Sequence, residues 1–278
     1  PVLCGRFLGK QRKVAGRVLR KVWDVQGYAA DHFTGAQFAA FPDLSAPMDS
    51  RPMLELTSIA FIDSVLSARV ISNDSHVVVY WGGDWESPAT RVVFTLDWAG
   101  LHGRVSLLDG GLTAWRAAGN PVTTAPAVLT PARFVAHPRS DAVVTAAWVR
   151  SHLHAPGLTL IDARDPEFYG GAPTKNSPHP GHIPGAVNLP FTSFTDSTEH
   201  FLPVDSLKQL FAQTGATPGG QIVAYCHIGQ QATLVVFVGR MLGYDVRLYA
   251  GSFPHWSTLP AAPGGTQPTL QDHPPSAS

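Results

Sequence analysis

One cysteine in this 278-residue chain stands where a nucleophile could work. Cys226 ends the apolar run Gln221-Ile-Val-Ala-Tyr and precedes His227-Ile228-Gly229-Gln230-Gln231, after which comes Ala232-Thr-Leu-Val-Val-Phe-Val. That order reads as a buried strand, a tight loop and a helix. At the carboxyl end of a parallel strand, the first N–H groups of the following helix have no internal acceptor and point into the crevice where ligands bind. Gly229 permits the unusual backbone angle with which a short loop turns several N–H groups toward one point. A sulfur held there is favoured as its thiolate by the helix dipole and the converging donors. The same donors can hold a bulkier anion, such as a persulfide or a bound oxyanion, without a metal. The competing reading is an inert buried thiol, because free Cys is among the most buried residue types.

The elements that must position this loop occur twice. The first half contains VWDV (22–25), DHFTGAQF (31–38), HVVVYW (76–81), an apolar helix pattern and LLDGGLTAW (107–115); the second contains LIDAR (160–164), GHIPGAVNL (181–189), QIVAYC (221–226), another such pattern and LYAGSFPHW (248–256). Five features in one order mark a tandem repeat of a single domain. Each copy alternates short β-branched runs with stretches of helical period, which predicts an α/β fold with a parallel sheet and helices on both faces. Asp205 is expected to cap a helix carrying the stripe Leu207, Leu210 and Phe211 and ended by Gly215. Ser87-Pro88 is expected to open a helix bearing Val92, Val93 and Leu96, since Pro at the first helical position sacrifices no hydrogen bond. The reading divides the chain into an N-terminal domain (1–124), a Pro- and Ala-rich extended linker (125–142), a second domain (143–260) and a tail (261–278) without apolar periodicity, expected to be disordered or loosely draped.

Composition excludes several classes. Lys and Arg total 20, balancing 20 Asp and Glu, but seven of the basic residues precede the first acid, Asp24, so the remainder is mildly acidic. Such a body is a poor nucleic-acid binder, which needs a basic surface to displace phosphate counterions. The basic lead reads as a targeting remnant or a solvated strand and turn, and it lacks the apolar core of a secretory signal. Nothing approaches 18 uninterrupted apolar residues, so no membrane span is expected. Two cysteines, Cys4 and Cys226, make neither a disulfide framework nor a zinc site, and the 12 histidines include no HExxH-like spacing. A reducing, cytoplasmic setting is expected, with no metal and no cofactor.

With these residues in view the chain resembles the rhodanese family, specifically its tandem-domain thiosulfate and 3-mercaptopyruvate sulfurtransferases. The likeness is carried by LIDARDPEFYGG, GHIPGAVNLP, the Cys loop after AY, and LGYDVRLYAGSFPHWS. It is strong over 160–257, moderate over 76–120 and poor before Gly27. The resemblance implies two rhodanese-like domains of which only the second is catalytic, Trp81 taking the place of Cys226 in the first. It also implies double displacement: the Cys226 thiolate takes the outer sulfur of a donor, becomes a persulfide cradled by loop N–H groups, and passes the sulfur to cyanide or a thiol. The partners expected are a small-molecule sulfur donor and acceptor, with a thiol reductant protein as a further candidate.

For substrate binding the reading selects His227, Ile228, Gly229, Gln230, Gln231 and Arg164. His227 either assists the thiolate or meets an anionic donor, and is equally readable as an idle loop histidine. Gln230 and Gln231 offer amide donors or cap the helix, and Ile228 packs. The resemblance makes Asp162 and Arg164 a pair that braces the loop, with Arg164 also within reach of substrate. His182 is assigned to fixing a turn, and Asp84 and Trp85 to lining a cleft. Phe168 before Tyr169, and a Cys-His-Ile-Gly loop, depart from the mercaptopyruvate-specific pattern and lean toward thiosulfate. A Cys-dependent phosphatase is disfavoured because it needs Arg six residues after Cys, where this chain has Ala232. The more serious rival is a non-catalytic binding or sulfur-relay module, suggested by Ala250 and His255 at positions where acids are common and by Asp109 retaining what Ala250 lacks.

Overall fold

A computed structural model of the chain describes residues 2–5, 13–14, 17–18, 25–47, 55–82, 86–130, 132–174 and 179–260. Asp84, Trp85 and the tail 261–278 lie outside the described residues. The chain divides into two compact units, Pro1–Ala142 with Phe194–Val204, and Val143–Ser193 with Asp205–Ser278.

In the first unit the strands are β1 (Val2–Gly5), β2 (Lys13–Val14), β3 (Arg17–Val18), β4 (Ala36–Phe38), β5 (Val77–Trp81) and β6 (Val105–Leu107). The sheet runs β4-β1-β5-β6 with every pairing parallel, while β2 and β3 form a separate antiparallel pair within the basic lead. The helices are α1 (Val25–Ala30), α2 (Ile59–Ala68), α3 (Ser87–Leu96) and α4 (Gly111–Ala117). Ser58 starts α2 by accepting the Phe61 N–H at 3.3 Å, relieving one of the helix's orphan donors. Pro88 lies in the first turn of α3, as its missing donor allows, and all ten residues of that helix are buried, Val92, Val93 and Leu96 among them.

The second unit contains β7 (Leu158–Asp162), β8 (Val187–Asn188), β9 (Gln221–Tyr225) and β10 (Asp245–Leu248), with α5 (Ala146–Ser151), α6 (Pro166–Tyr169), α7 (Val204–Gln213), α8 (Ala232–Met241) and α9 (Ser252–Ser257). Its order is β10-β9-β7-β8, again all parallel. The β-branched run of β9 is buried from Ile222 to Tyr225, the pattern of a central strand covered on both faces. Helix α8 is rich in β-branched residues of modest helix propensity; burial of Leu234, Val235, Val236 and Val238 overrides that preference. Its Gly239 is required by close approach, since a Cβ there would stand 2.5 Å from Val246 Cγ2 and 3.0 Å from Phe211 Cε1. Helix α7 buries Leu207 and Phe211 and is followed by Gly215 at φ +79°, but it begins at Val204, so Asp205 lies inside the first turn rather than capping it.

The repeat extends to individual hydrogen bonds. Tyr80 Oη accepts the Phe33 N–H at 3.3 Å, and Tyr225 Oη accepts the Ile183 N–H at 3.1 Å. His32 Nδ1 meets the Tyr28 carbonyl at 2.8 Å and His182 Nδ1 meets that of Tyr169 at 2.9 Å, each imidazole stacked on its tyrosine ring. His182 therefore holds the turn before β8, as His32 holds the one before β4. The pairing of VWDV with LIDAR is corrected: the strand in the place of β7 is Val2–Gly5, flanked by β4 and β5 as β7 is by β8 and β9, and of VWDV the one described residue, Val25, opens α1.

Candidate active site

Cys226 directly follows β9, whose Tyr225 is in register with Asp162 at the end of β7. Its main chain is pinned on both sides. The Cys226 carbonyl accepts the Phe253 N–H at 3.0 Å, and the Cys226 N–H donates to Ser252 Oγ at 3.2 Å. Ser252 in turn donates its hydroxyl to the Tyr249 carbonyl at 3.1 Å and adopts φ +56°, an unusual backbone for a residue with a Cβ. The loop then runs to α8 through Gly229, at φ +70°, and the Gln230 carbonyl accepts the Thr233 N–H and hydroxyl at 3.1 and 2.6 Å. The N-terminus of α8 thus lies one short loop from the cysteine. The sulfur side chain itself is fully buried, 0% exposed.

A buried polar network braces this end of the sheet. Arg164 Nε donates to Asp162 Oδ1 at 2.9 Å, while Nη2 donates to Asp162 Oδ2 at 2.5 Å and to the Gly181 carbonyl at 2.7 Å. The guanidinium carbon lies 4.2 Å from the Phe253 ring centre. Arg164, read as a brace also within reach of substrate, has a side chain that is 1% exposed, with donors facing Asp162 and the main chain. Burial opposes its charge, but the hydrogen bonds and charge of Asp162, with Tyr225 and Cys226 nearby, more than compensate and raise its pKa. Tyr225 is pushed well above the usual tyrosine range by burial and then by the Asp162 charge. Asn188 Nδ2 donates to the carbonyls of both Asp162 and Arg164 at 2.9 Å, tying β8 to the same corner.

The remaining selected residues divide by exposure. Gly229 and Gln230 are buried, whereas His227, Ile228 and Gln231 are half-buried. Gln231 Oε1 is itself buried without a hydrogen-bond partner. Two residues not selected from sequence join the site. One is Ser252. The other is Phe168 of α6, whose ring centre lies 4.8 Å from that of His227 with the planes at 83°. A cavity of about 330 Å³ in this unit is lined by Val149, Leu153, His154, Leu158, Pro184 and Gly185 among others. Leu158 pairs with Gln221, so this cavity sits at the amino end of the strands, the end away from Cys226.

The same corner of the first unit is built for a different occupant. Trp81 stands at the end of β5, fully buried, and its indole N–H donates to Glu199 at 3.1 Å. Gly111 there has φ +54°, the angle of Ser252, and the Gly111 and Ser252 N–H groups donate to Leu108 and Tyr249 in the same manner. A Cβ on Gly111 would approach the Trp81 ring to 2.9 Å and its carbonyl to 2.8 Å. Trp81 with Gly111, and Cys226 with Ser252, are therefore two matched solutions at one backbone position.

The rhodanese-like domain model matches residues 16–118 and 145–259, one match per repeat. The chain belongs to the rhodanese family. Among curated relatives, it is 37% identical over 247 residues to a Pseudomonas aeruginosa protein named "Probable 3-mercaptopyruvate sulfurtransferase", covering 86% of each chain. It is 29% identical over 238 residues to the thiosulfate sulfurtransferase of Gallus gallus, covering 83% of this chain and 80% of that one. Among solved structures it shares the fold of the anaerobic ergothioneine biosynthesis enzyme from Chlorobium limicola, with a TM-score of 0.78 and 19% identity over 96% of this chain. The match spans 64% of that chain.

Proposed function

We propose that the protein is a sulfurtransferase that moves the outer sulfur of thiosulfate to a thiophilic acceptor through a persulfide on Cys226. The observation that carries the reading is the placement of Cys226: it follows a buried parallel strand, precedes the N-terminus of α8, and has both main-chain groups pinned. In the first half-reaction the Cys226 thiolate attacks the outer sulfur, a new S–S bond forms, and the old one breaks with its electron pair leaving on sulfite. In the second, cyanide or a thiolate takes the terminal sulfur and Cys226 regains its thiolate. Loop N–H groups near the start of α8 stabilise the anionic persulfide, and two moderate barriers replace one high one. Asp162 and Arg164 support this loop from beneath.

His227 donates to the sulfonate oxygens of the donor, and Ile228 and Gln231 share its intermediate exposure in the loop. Mercaptopyruvate is the second donor, favoured by the name of the Pseudomonas aeruginosa relative. No helix among the described residues is long and apolar enough to cross a membrane, and free-thiol chemistry suits a reducing cytoplasm where a thiol reductant protein serves as partner. The test is thiocyanate formation from thiosulfate and cyanide: the wild type turns over and Cys226→Ser does not. Turnover by Cys226→Ser would overturn Cys226 as the nucleophile, and none by the folded wild type with either donor would leave a non-catalytic binding module as the better reading.

A further inference from the structure

The loop after Cys226 carries an aromatic contact between two residues that the sequence reading treated separately. His227 meets the Phe168 ring edge to face, at 4.8 Å and 83°. The main chain on which Phe168 sits is held in place. The Phe168 N–H donates to the Asp165 carbonyl at 3.0 Å, and the next residue, Tyr169, is fixed by its hydroxyl on the Ala186 carbonyl at 2.9 Å and by its stack on His182 at 3.9 Å. Asp165 and Glu167 on the same segment are acidic, and the cation of that segment, Arg164, is paired with Asp162. Among the described residues of this segment and the loop, the imidazole of His227 is the remaining side chain that can carry positive charge, and it packs on the Phe168 ring.

We propose that Phe168 is a positioning residue for donor selection: it holds His227 so that a ring N–H meets the sulfonate of a sulfur donor, making the site selective for small sulfonate-bearing donors. This rests on the reading of Cys226 as the nucleophile. As Cys226 takes the outer sulfur, the sulfite that departs with the bonding electron pair gains charge on the oxygens that face His227. Orientation bound in advance lowers the entropy lost on binding. A donor without a sulfonate, such as inorganic tetrasulfide, delivers sulfur to the same thiolate with trisulfide as leaving group and has nothing for His227 to hold.

The experiment compares wild type, Phe168→Ala and Phe168→Tyr with thiosulfate and with tetrasulfide, cyanide being the acceptor. Phe168→Ala should raise KM for thiosulfate by about three- to tenfold, the range expected for loss of one edge-to-face pair, with KM for tetrasulfide unchanged. Phe168→Tyr should restore the wild-type KM. An unchanged thiosulfate KM in Phe168→Ala, or an equal rise with both donors, overturns the proposal while tetrasulfide turnover leaves Cys226 as the nucleophile. Failure of both donors to label Cys226 in the wild type overturns both readings together.

Discussion

Replacing Ser252 by Ala removes one oxygen from the heart of the site and little else. The Cβ remains, so the strain of φ +56° is unchanged, and the Tyr249 carbonyl keeps the Ser252 N–H as a donor at 3.1 Å. What is lost is the acceptor for the Cys226 N–H at 3.2 Å, in a position with Ser252 and Cys226 both 0% exposed and water excluded. Leaving a buried donor unsatisfied costs about 1–3 kcal/mol. Ser252→Gly loses the same acceptor but relieves about 1–2 kcal/mol of left-handed strain, offset by about 0.4–1 kcal/mol of added unfolded-chain entropy. The glycine variant should therefore be the more stable of the two by about 0.5–1 kcal/mol. Urea unfolding at neutral pH, read beside thiocyanate formation, measures both. Both variants should also lose activity, because one of the two main-chain bonds that hold the cysteine to α9 is gone and the Phe253 N–H to Cys226 carbonyl bond alone remains. Wild-type stability and rate in Ser252→Ala, or a glycine variant less stable than the alanine one, would refute the role assigned to this hydroxyl.

Asp162→Asn leaves the Arg164 cation buried without its counter-charge and should destabilise by about 3–5 kcal/mol in thermal unfolding; a loss below about 1 kcal/mol would mean that the pair is not a brace. Gly239→Ala gains about 1 kcal/mol of helix propensity but drives a methyl into Val246 and Phe211, so a net loss of about 1 kcal/mol or more is expected in denaturant midpoints. Burial, aided by the charge of Glu199, raises the Glu86 pKa. The protonated form is thus favoured by folding: its contribution is full below the ordinary glutamate range and fades as pH rises through the raised value. Glu86→Gln should accordingly match wild type in acid and become the more stable protein toward neutrality, a trend that melting curves across pH would display or deny.

The loop around Cys226 was legible because its signals are local: an apolar β-branched run, a glycine and a helical stretch, in one order. The tandem repeat was legible for the same reason, through motifs shared by both halves. What escaped depends on contacts between distant segments. Ser252 lies 26 residues beyond Cys226, and its meaning emerges only when its left-handed backbone is set beside that of Gly111. In sequence Phe168 reads only as a departure from the mercaptopyruvate-specific pattern, and its contact with the His227 ring joins segments 59 residues apart. The pairing of Asp162 with Arg164 as a brace came from the resemblance, while the near-complete burial of the guanidinium shows only in the packing. The strand Val2–Gly5 owes its place to pairing on both sides, with β4 and β5, which no pattern within four residues can announce. Asp205 missed its capping position by two residues, since α7 begins at Val204, within the usual uncertainty of helix ends.

The most direct measurement is intact-mass analysis of the folded protein after brief exposure to thiosulfate, followed by peptide mapping. The account predicts a gain of about 32 Da, one sulfur atom as a persulfide, on the peptide containing Cys226, removed by cyanide with release of thiocyanate. A folded protein that gains no sulfur at Cys226, or carries it on another residue, would contradict it.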